Sequence, residues 1–268
     1  MGVTSIAVTG GGRMGRQLAH ELQQQGYSVR ISVRTEAHLA ELAAAPQGFH
    51  PCLINITPDA VIGDTGFFDA DVVAVVLPPE KSSDGGYSYP HIVGQLCGVL
   101  PPAVRLLFVS STSVYPDNGA RVMEEDAPIP ESPVGWALLE AERLLRQRCP
   151  MTTVVRFGGL LGGGRAIRLT RHPSDSRPVN LIHQRDAVGI LLEIIRRGFW
   201  GETVNACCPH HPPRDVFYRE AALVRGLQPP VNEVSVNGKW KIVDSRQLQR
   251  LHYRFKYANP LDCLYPES

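Results

Sequence analysis

The most constraining feature of the chain is a glycine-rich turn that joins a short apolar strand to a helix near residue 10. Residues 5–9 favour a β-strand, and Gly10, Gly12 and Gly15 follow with GxGxxG spacing before a helix-forming segment. In that context the first glycine permits the sharp turn, the second lets the backbone approach a pyrophosphate, and the third lets the helix pack close to the strand. The pattern predicts a dinucleotide-binding βαβ unit with phosphates at the helix amino terminus. An ordinary glycine turn is the alternative.

Strand-like and helix-like segments alternate along the 268 residues. The predicted strands cover residues 5–9, 27–33, 52–56, 71–77, 104–110, 152–157 and 203–207. The predicted helices lie near residues 13–25, 35–45, 88–99, 134–148, 185–197 and 214–226. Residues 72–77 and 106–109 are continuous apolar runs, as in strands buried on both faces of a parallel sheet. We therefore predict an α/β fold, a Rossmann-type doubly wound parallel sheet. Residues 1–158 should form the NAD(P)-binding core, and residues 159–268 should complete the sheet and form a small C-terminal substrate lobe.

Charge and cysteine content narrow the classes of function. Lys and Arg number 27 against 26 Asp and Glu, which argues against a basic groove for nucleic acid. The longest strongly apolar run, residues 72–77, is too short to span a bilayer, and we expect no signal peptide before the first strand. The six cysteines form no CxxC motif and are expected to be free thiols. We expect a cytoplasmic protein that acts on a small molecule, binds no metal, nucleic acid or membrane, and could form a homodimer.

The end of the second predicted strand bears on which dinucleotide binds. NAD sites usually place Asp or Glu there to bond the ribose hydroxyls, but this chain has Val33 followed by Arg34. A guanidinium matches a 2′-phosphate in charge and in its fork of donors, and Arg13 in the glycine turn could add a second positive charge. We expect a preference for NADP(H), with NAD(H) possible; two solvated surface arginines are the alternative. The residues expected along the dinucleotide are Gly10, Gly12, Arg13, Met14, Gly15, Arg34, Thr35, Leu77, Pro78 and Ser110.

Further segments, in a fixed order, extend the pattern over nearly the whole chain. They are residues 106–116 with Glu125 and Pro128, residues 156–165, residues 179–188 and residues 203–205. Together they resemble the extended and atypical short-chain dehydrogenase/reductases, which are relatives of the sugar-nucleotide epimerases and dehydratases. The resemblance implies the same fold and an NAD(P) cofactor. Residues 26–34 look most like the atypical, NADP-binding members.

The proton donor that the resemblance implies is missing. In the family it is the Tyr of Tyr-x-x-x-Lys, on the helix after the Ser–Ser strand, where the Lys lowers the Tyr pKa. The matching positions hold Val134 and Leu138, and no Tyr or Lys stands at any nearby register. Ser111 aligns with the family's catalytic Ser or Thr.

Substitutes for the missing acid are expected on loops at the carboxyl ends of the strands. We predict Ser111 for substrate positioning and Tyr115 for acid catalysis, with Lys81 as a further catalytic candidate. Tyr87 and Arg165 are expected to bind the substrate, Arg165 through an anionic group. Plainer alternatives stay open: Lys81 is a solvated loop charge, the tyrosines pack within loops, and Ser111 contacts the cofactor.

The expected activity is that of an NADP(H)-dependent oxidoreductase, a carbonyl or imine reductase acting on a small metabolite. A protonated iminium accepts hydride without a strong acid beside it, which would lessen the need for the missing Tyr. Two alternatives stay open: an inactive NADP(H)-binding sensor or partner protein, and a non-redox epimerase- or dehydratase-like enzyme. We expect His183 to bond backbone near Asp186, and Asp186 to cap a helix over residues 187–197.

Overall fold

The computed structural model describes residues 2–44, 48–81, 85–164, 167, 176–229 and 239–265. Its strands are β1 (Ser5–Thr9), β2 (Ser28–Val33), β3 (His50–Leu53), β4 (Asn55–Ile56), β5 (Val61–Ile62), β6 (Val72–Val75), β7 (Arg105–Ser111), β8 (Ala120–Val122), β9 (Thr152–Phe157), β10 (Gly159–Leu161), β11 (Leu181–His183), β12 (Thr203–Ala206) and β13 (Lys241–Val243). Its α-helices are α1 (Arg13–Gln24), α2 (Glu36–Ala43), α3 (Tyr89–Val99), α4 (Pro133–Arg148), α5 (Gln184–Arg197), α6 (Arg214–Leu223) and α7 (Gln247–Arg250).

Seven strands form one parallel sheet in the order β12-β9-β7-β6-β1-β2-β3. The chain runs outward from β1 to β3, crosses back, and then runs outward in the other direction from β6 to β12. The direction therefore reverses between β1 and β6. Ligands of such sheets bind outside the carboxyl ends of the strands at this switch point. The doubly wound α/β fold that the sequence predicts is confirmed.

Apolar side chains cover both faces of the sheet and fix the strand ends in place. All four residues of β6 are buried, and so are all six of β9. One apolar cluster includes residues of α1 and α5, and the other includes residues of α3 and α4. Burial on both faces is why these strands are apolar runs without alternation. The sheet is thus a rigid platform, and the loops at its carboxyl edge carry the candidate site.

The later part of the chain contributes one strand to the main sheet and forms small pairs of strands beside it, of which β10 and β11 pair in parallel. Strand β12 is an edge strand of the main sheet, and β13 pairs in parallel with β8. The Asn205 side chain donates to the Asp244 carbonyl over 2.9 Å, which ties β12 to the segment after β13. No α-helix within the described residues is long and apolar enough to cross a membrane.

The structure differs from the sequence predictions at several places, of which three bear on the fold. The strand expected at residues 52–56 is divided, because the chain leaves the main sheet after β3 and β4 pairs antiparallel with β5. The helix expected to reach residue 226 ends at Leu223. Asp186 does not cap a helix: α5 begins at Gln184, and the His183 Nδ1 accepts a hydrogen bond from the Arg185 backbone, as expected for His183.

Asp186 instead anchors the C-terminal segment. Its carboxylate accepts hydrogen bonds from the backbone N–H groups of Lys256 and Tyr257 and from the Tyr253 hydroxyl, at 2.8, 3.0 and 3.0 Å. The buried carboxylate is satisfied by partners about 70 residues away in sequence, which local sequence signals cannot reveal.

Candidate functional site

The turn after β1 is made of glycines because the backbone around it leaves no room for side chains. Gly10 has φ +107°, and a Cβ on it would lie 2.8 Å from the Val76 carbonyl oxygen. A Cβ on Gly15 would lie 1.9 Å from the Gly10 carbonyl oxygen. The turn can follow this path only with glycine at both positions.

Gly12 differs from these glycines, since a Cβ on it would meet nothing within 4 Å. It is the residue before α1, no side chain caps that helix, and the first turn of the helix contains no acidic residue. The first N–H groups of a helix need partners and favour an anion. The open space in front of Gly12 therefore fits the pyrophosphate of a dinucleotide.

The end of β2 presents a cation and no carboxylate. Val33 is buried, and the Arg34 side chain that follows is 61% exposed and forms an ion pair with Glu80 over 3.0 Å. The Thr35 hydroxyl caps α2 by accepting a hydrogen bond from the His38 N–H over 3.3 Å. This is the place where an NAD site has its acidic residue.

The residues expected near the end of β6 lie around the same turn. A Cβ on Gly10 would lie 3.4 Å from Leu77, and the Tyr89 hydroxyl donates to the Leu77 carbonyl over 2.8 Å. Pro78 is exposed and Met14 is half-buried. Burial raises the pKa of Tyr89, so the hydroxyl stays protonated and holds Leu77 in place.

Arg13 is turned towards the loop after β10. Its Nη1 donates to the Gly163 carbonyl over 3.2 Å. This loop packs closely on the start of α5: a Cβ on Gly162 would lie 2.1 Å from His183, and one on Gly163 would lie 2.0 Å from Gln184. The sequence prediction that Arg13 stands beside the adenosine ribose is not favoured by this contact. Arg165, predicted to bind the substrate, lies outside the described residues.

Two predicted residues pair in the loop after β6. Lys81 and Tyr87 form an isolated antiparallel bridge, with Lys81 exposed and Tyr87 half-buried. Ser111 stands at the end of β7, and its Oγ accepts a hydrogen bond from the Ser113 N–H over 3.2 Å. Lys81 and Tyr87 follow β6, and Ser111 is the last residue of β7, so all three come after or at the carboxyl ends of neighbouring strands. Their roles stay predictions.

Tyr115 is placed differently from a proton donor that faces a substrate. It is 1% exposed, and its hydroxyl donates to Asn205 Oδ1 over 2.9 Å and accepts from Arg156 Nη1 over 2.7 Å. Burial raises the pKa of the Tyr115 hydroxyl, while Arg156 opposes the shift. The hydroxyl thus both donates and accepts a hydrogen bond within the protein. The predicted role in acid catalysis stays untested, and this geometry does not favour it.

Beside Tyr115 lies a buried charged cluster that the sequence patterns do not predict. The Arg156 Nη2 lies 2.6 Å from Glu142 Oε2, and both side chains are about 95% buried. The Ser110 hydroxyl donates to Glu142 Oε1 over 2.6 Å, so Ser110 is held inside the protein. The sequence does hold one signal for this pair: Glu142 and Arg156 each stand at a core-facing position of an apolar element, α4 or β9. Buried charges of this kind occur mainly in pairs, so each predicts a partner of opposite charge.

Helix α4 has the apolar side chains of Val134 and Leu138 at the positions where the family has its catalytic Tyr and Lys. Leu138 is buried in the core, and Val134 is half-buried. The helix starts tightly against the turn after β7, since a Cβ on Gly135 would lie 2.5 Å from the Ser113 carbonyl oxygen. Neither Val134 nor Leu138 carries a proton that it could donate to a substrate.

A separate pocket of about 480 Å³ lies beside the start of α5 and the C-terminal segment. Its lining residues are Gln17, Gly163, His183, Gln184, Arg185, Tyr257, Cys263 and Tyr265. None of the catalytic candidates lines this pocket. Gly163, which accepts the hydrogen bond from Arg13, lies in its wall.

Comparison with known proteins agrees with this architecture. The sequence model of the family described as the RmlD substrate binding domain matches residues 4–185. Protein YeeZ of Escherichia coli K12 is 32% identical over 269 residues, covering 96% of this chain and 97% of the relative. The spore coat polysaccharide biosynthesis protein SpsK of Bacillus subtilis is 24% identical over 165 residues, which are 60% of this chain and 55% of the relative.

Solved structures share the fold at low identity. A UDP-glucuronic acid 4-epimerase from Bacillus cereus, in complex with NAD, has a TM-score of 0.77 at 18% identity and covers 97% of this chain and 96% of its own. A conserved protein of unknown function from Silicibacter pomeroyi has a TM-score of 0.75 at 21% identity, with the same coverage. The chain therefore belongs to the RmlD substrate binding domain family and has its NAD(P)-binding fold, of the atypical short-chain dehydrogenase/reductase type.

Proposed function

We propose that the protein is an NADP(H)-dependent reductase of a small metabolite whose electrophile needs no strong acid, such as an iminium ion. The observation that carries the cofactor assignment is Arg34, which stands after the apolar Val33 at the end of β2. A cation at this place suits a 2′-phosphate, whereas NAD sites use an acid there. The solved epimerase in complex with NAD supports dinucleotide binding by this fold.

The glycine turn would hold the pyrophosphate, with the open side of Gly12 and the uncapped start of α1 facing it. Arg34 would hold the adenosine end. When bound, the reduced nicotinamide supplies a hydride. The chain's own part is to bind the dinucleotide and to orient the substrate at the carboxyl edge, where Ser111 is the polar group at the end of β7.

The choice of an iminium follows from the side chains at the positions where the family has its proton donor and at the substitute predicted for it, Tyr115. Val134 and Leu138 cannot donate a proton, and the Tyr115 hydroxyl is held by Asn205 and Arg156. A ketone that accepts hydride becomes an alkoxide, which an acid must protonate. An iminium carbon that accepts hydride becomes a neutral amine, and no proton is taken up in that step.

The test is oxidation of NADPH by the purified protein, offered matched cyclic imines and ketones near neutral pH. We expect turnover with imines and little or none with the ketones. Comparable rates with both would mean that a strong acid is present, and no turnover with either would contradict the reductase proposal.

A second candidate is NADP(H) binding without turnover, as in a redox sensor. The same engaged hydroxyl of Tyr115 favours it, since a protein that performs no chemistry needs no acid. It predicts tight binding of NADPH and a change in proteolytic protection of the loops at the carboxyl edge, with no oxidation of NADPH for any substrate in the panel.

A further inference from the structure

We propose that Arg16, rather than Arg13, is the second guanidinium of a 2′-phosphate site that it forms with Arg34. The inference rests on the proposed function and names the residues of that site that distinguish NADP(H) from NAD(H). The sequence pattern predicts that Arg34 is joined by Arg13. The contacts of the two arginines in the structure favour the other pairing.

Arg16 is tied to the part of the glycine turn that lies over the end of β2. Its Nε donates to the Gly11 carbonyl over 2.9 Å. A Cβ on Gly11 would lie 2.8 Å from the Ser32 carbonyl oxygen and from Val33 Cγ1. The Arg16 guanidinium therefore lies next to the strand end from which Arg34 follows. Its side chain is 34% exposed, so it is anchored and still reachable by a ligand.

The guanidinium of Arg16 also reaches helix α2. Its Nη1 lies 2.8 Å from Glu41 Oε1, and its Nη2 contacts the His38 ring. His38 is in the first turn of α2, where its N–H donates to the Thr35 hydroxyl. Arg16 thus bridges from α1 to the start of α2, and Arg34 and Thr35 form the connection between β2 and α2. These residues surround the position where an adenosine ribose lies in this fold.

Arg13 points elsewhere. Its Nη1 donates to Gly163, whose loop packs on the start of α5. In the neighbouring contact, the Gln184 side chain of α5 donates to Gln17 of α1 over 2.7 Å. Arg13 therefore belongs to the contact between the glycine turn and the loop after β10.

The two arginines of the proposed site are paired with carboxylates that a phosphate could displace. Glu41 and Glu80 are 60% and 55% exposed. Exposed pairs of this kind contribute little to stability and are screened by salt. A phosphate carries nearly two negative charges and matches the guanidinium fork with two parallel hydrogen bonds. The carboxylates keep the two forks oriented, and the phosphate is the stronger partner.

The experiment measures dissociation constants for NADPH and NADH, and for the fragments 2′,5′-ADP and 5′-ADP, by titration calorimetry. The proteins are the wild type, Arg16→Gln, Arg16→Lys, Arg34→Gln, Arg13→Gln and a control, Arg143→Gln. Arg143 is an exposed arginine paired with Glu140 on α4, far from the turn in sequence. We expect Arg16→Gln to weaken NADPH and 2′,5′-ADP about tenfold or more, as for a lost charge-assisted hydrogen bond, and to change NADH and 5′-ADP by less than about twofold. Arg16→Lys keeps the charge without the fork and should lose part of that selectivity.

The possible failures are distinguishable. If Arg16→Gln leaves the ratio of the NADPH to the NADH dissociation constant unchanged while Arg34→Gln raises it, the inference is wrong and the proposed cofactor preference stands. If Arg13→Gln raises the ratio instead, the pairing of Arg34 with Arg13 is right. If both Arg16 variants weaken NADPH and NADH equally, Arg16 only holds the turn, and the inference is again wrong. A wild type that binds both dinucleotides equally would overturn the NADP(H) preference itself.

Discussion

The Arg156 guanidinium and the Glu142 carboxylate form a bidentate ion pair beneath the carboxyl end of the sheet, with 2.6 Å between Nη2 and Oε2 and 3.1 Å between Nε and Oε1. The pair joins α4 to β9, and Ser110 and Tyr115 of the neighbouring segment complete its hydrogen bonds. In the place where the family's helix carries its catalytic Lys, this helix has Leu138, and its buried charge stands one turn later. These buried polar side chains thus join α4 to the ends of β7 and β9.

Removal of one member of this pair should cost much of the protein's stability. We expect Glu142→Gln to lower the free energy of unfolding by about 3–5 kcal/mol, because it leaves a buried guanidinium without a compensating charge. Urea denaturation followed by circular dichroism measures the loss. The matched control is Glu140→Gln on the same helix, whose exposed pair with Arg143 should contribute about 1 kcal/mol or less. Equal losses in the two variants would show that the buried pair has no special role.

Substitution of two residues of the glycine turn should have different effects: one should remove dinucleotide binding, and the other should lower stability. Gly12→Val should abolish dinucleotide binding and leave a folded protein, because its side chain would occupy open space in front of α1. Gly15→Ala should instead destabilise the fold, by about 1–3 kcal/mol, since its Cβ would lie 1.9 Å from the Gly10 oxygen. Calorimetric titration and thermal unfolding of both variants separate the effects. Normal dinucleotide binding by Gly12→Val would mean that the turn is not a phosphate site.

Reversal of the charge at Arg34 should change which dinucleotide is preferred. We expect Arg34→Glu to weaken NADPH about tenfold or more, because a charge-assisted hydrogen bond is lost and a repulsion is introduced. NADH should change much less. Raising the ionic strength should narrow the difference in wild-type affinity, since the Arg34 side chain is 61% exposed and salt screens such charges. If the preference for NADPH remains both in Arg34→Glu and at high ionic strength, residues other than Arg34 cause it.

The sequence predicts the parts of this protein that local patterns govern. The strand, glycine turn and helix at residues 5–24 are read from neighbouring residues, and so are Arg34 and the missing Tyr and Lys. The partners of Arg16 could not be predicted, because Glu41 lies 25 residues further along the chain and meets Arg16 only through the packing of α2. The same holds for Asn205 and Tyr115, which are 90 residues apart. The hydrogen bond between them holds the hydroxyl of Tyr115, the predicted acid, in the protein interior.

One carboxylate near the start of β1 gives a dependence of stability on pH. Backbone hydrogen bonds from Thr4 and Ser5 lower the pKa of Asp71 from 3.8 to about 2. Because the folded-state pKa is depressed, the ionised carboxylate stabilises the fold fully above about pH 4, and this stabilisation is lost as the pH falls towards 2. Asp71→Asn should therefore lower the melting temperature at pH 7, and its difference from the wild type should shrink between pH 4 and pH 2. A difference that does not vary with pH would contradict this origin.

Tyr115 and Ser111 test whether the carboxyl edge performs acid catalysis. Loss of a well-placed general acid lowers a rate by on the order of 10²–10⁴. Tyr115→Phe leaves Asn205 Oδ1 without its donor, so we expect a loss of about 1–3 kcal/mol in unfolding free energy and little change in imine turnover. Ser111→Ala removes a half-buried hydroxyl at the end of β7 and should lower turnover while costing less stability. Both variants need unfolding curves and single-turnover rates with the same imine. A rate loss of 10² or more in a stable Tyr115→Phe protein would restore Tyr115 as the acid, and it would require the hydroxyl to leave Asn205 during the reaction.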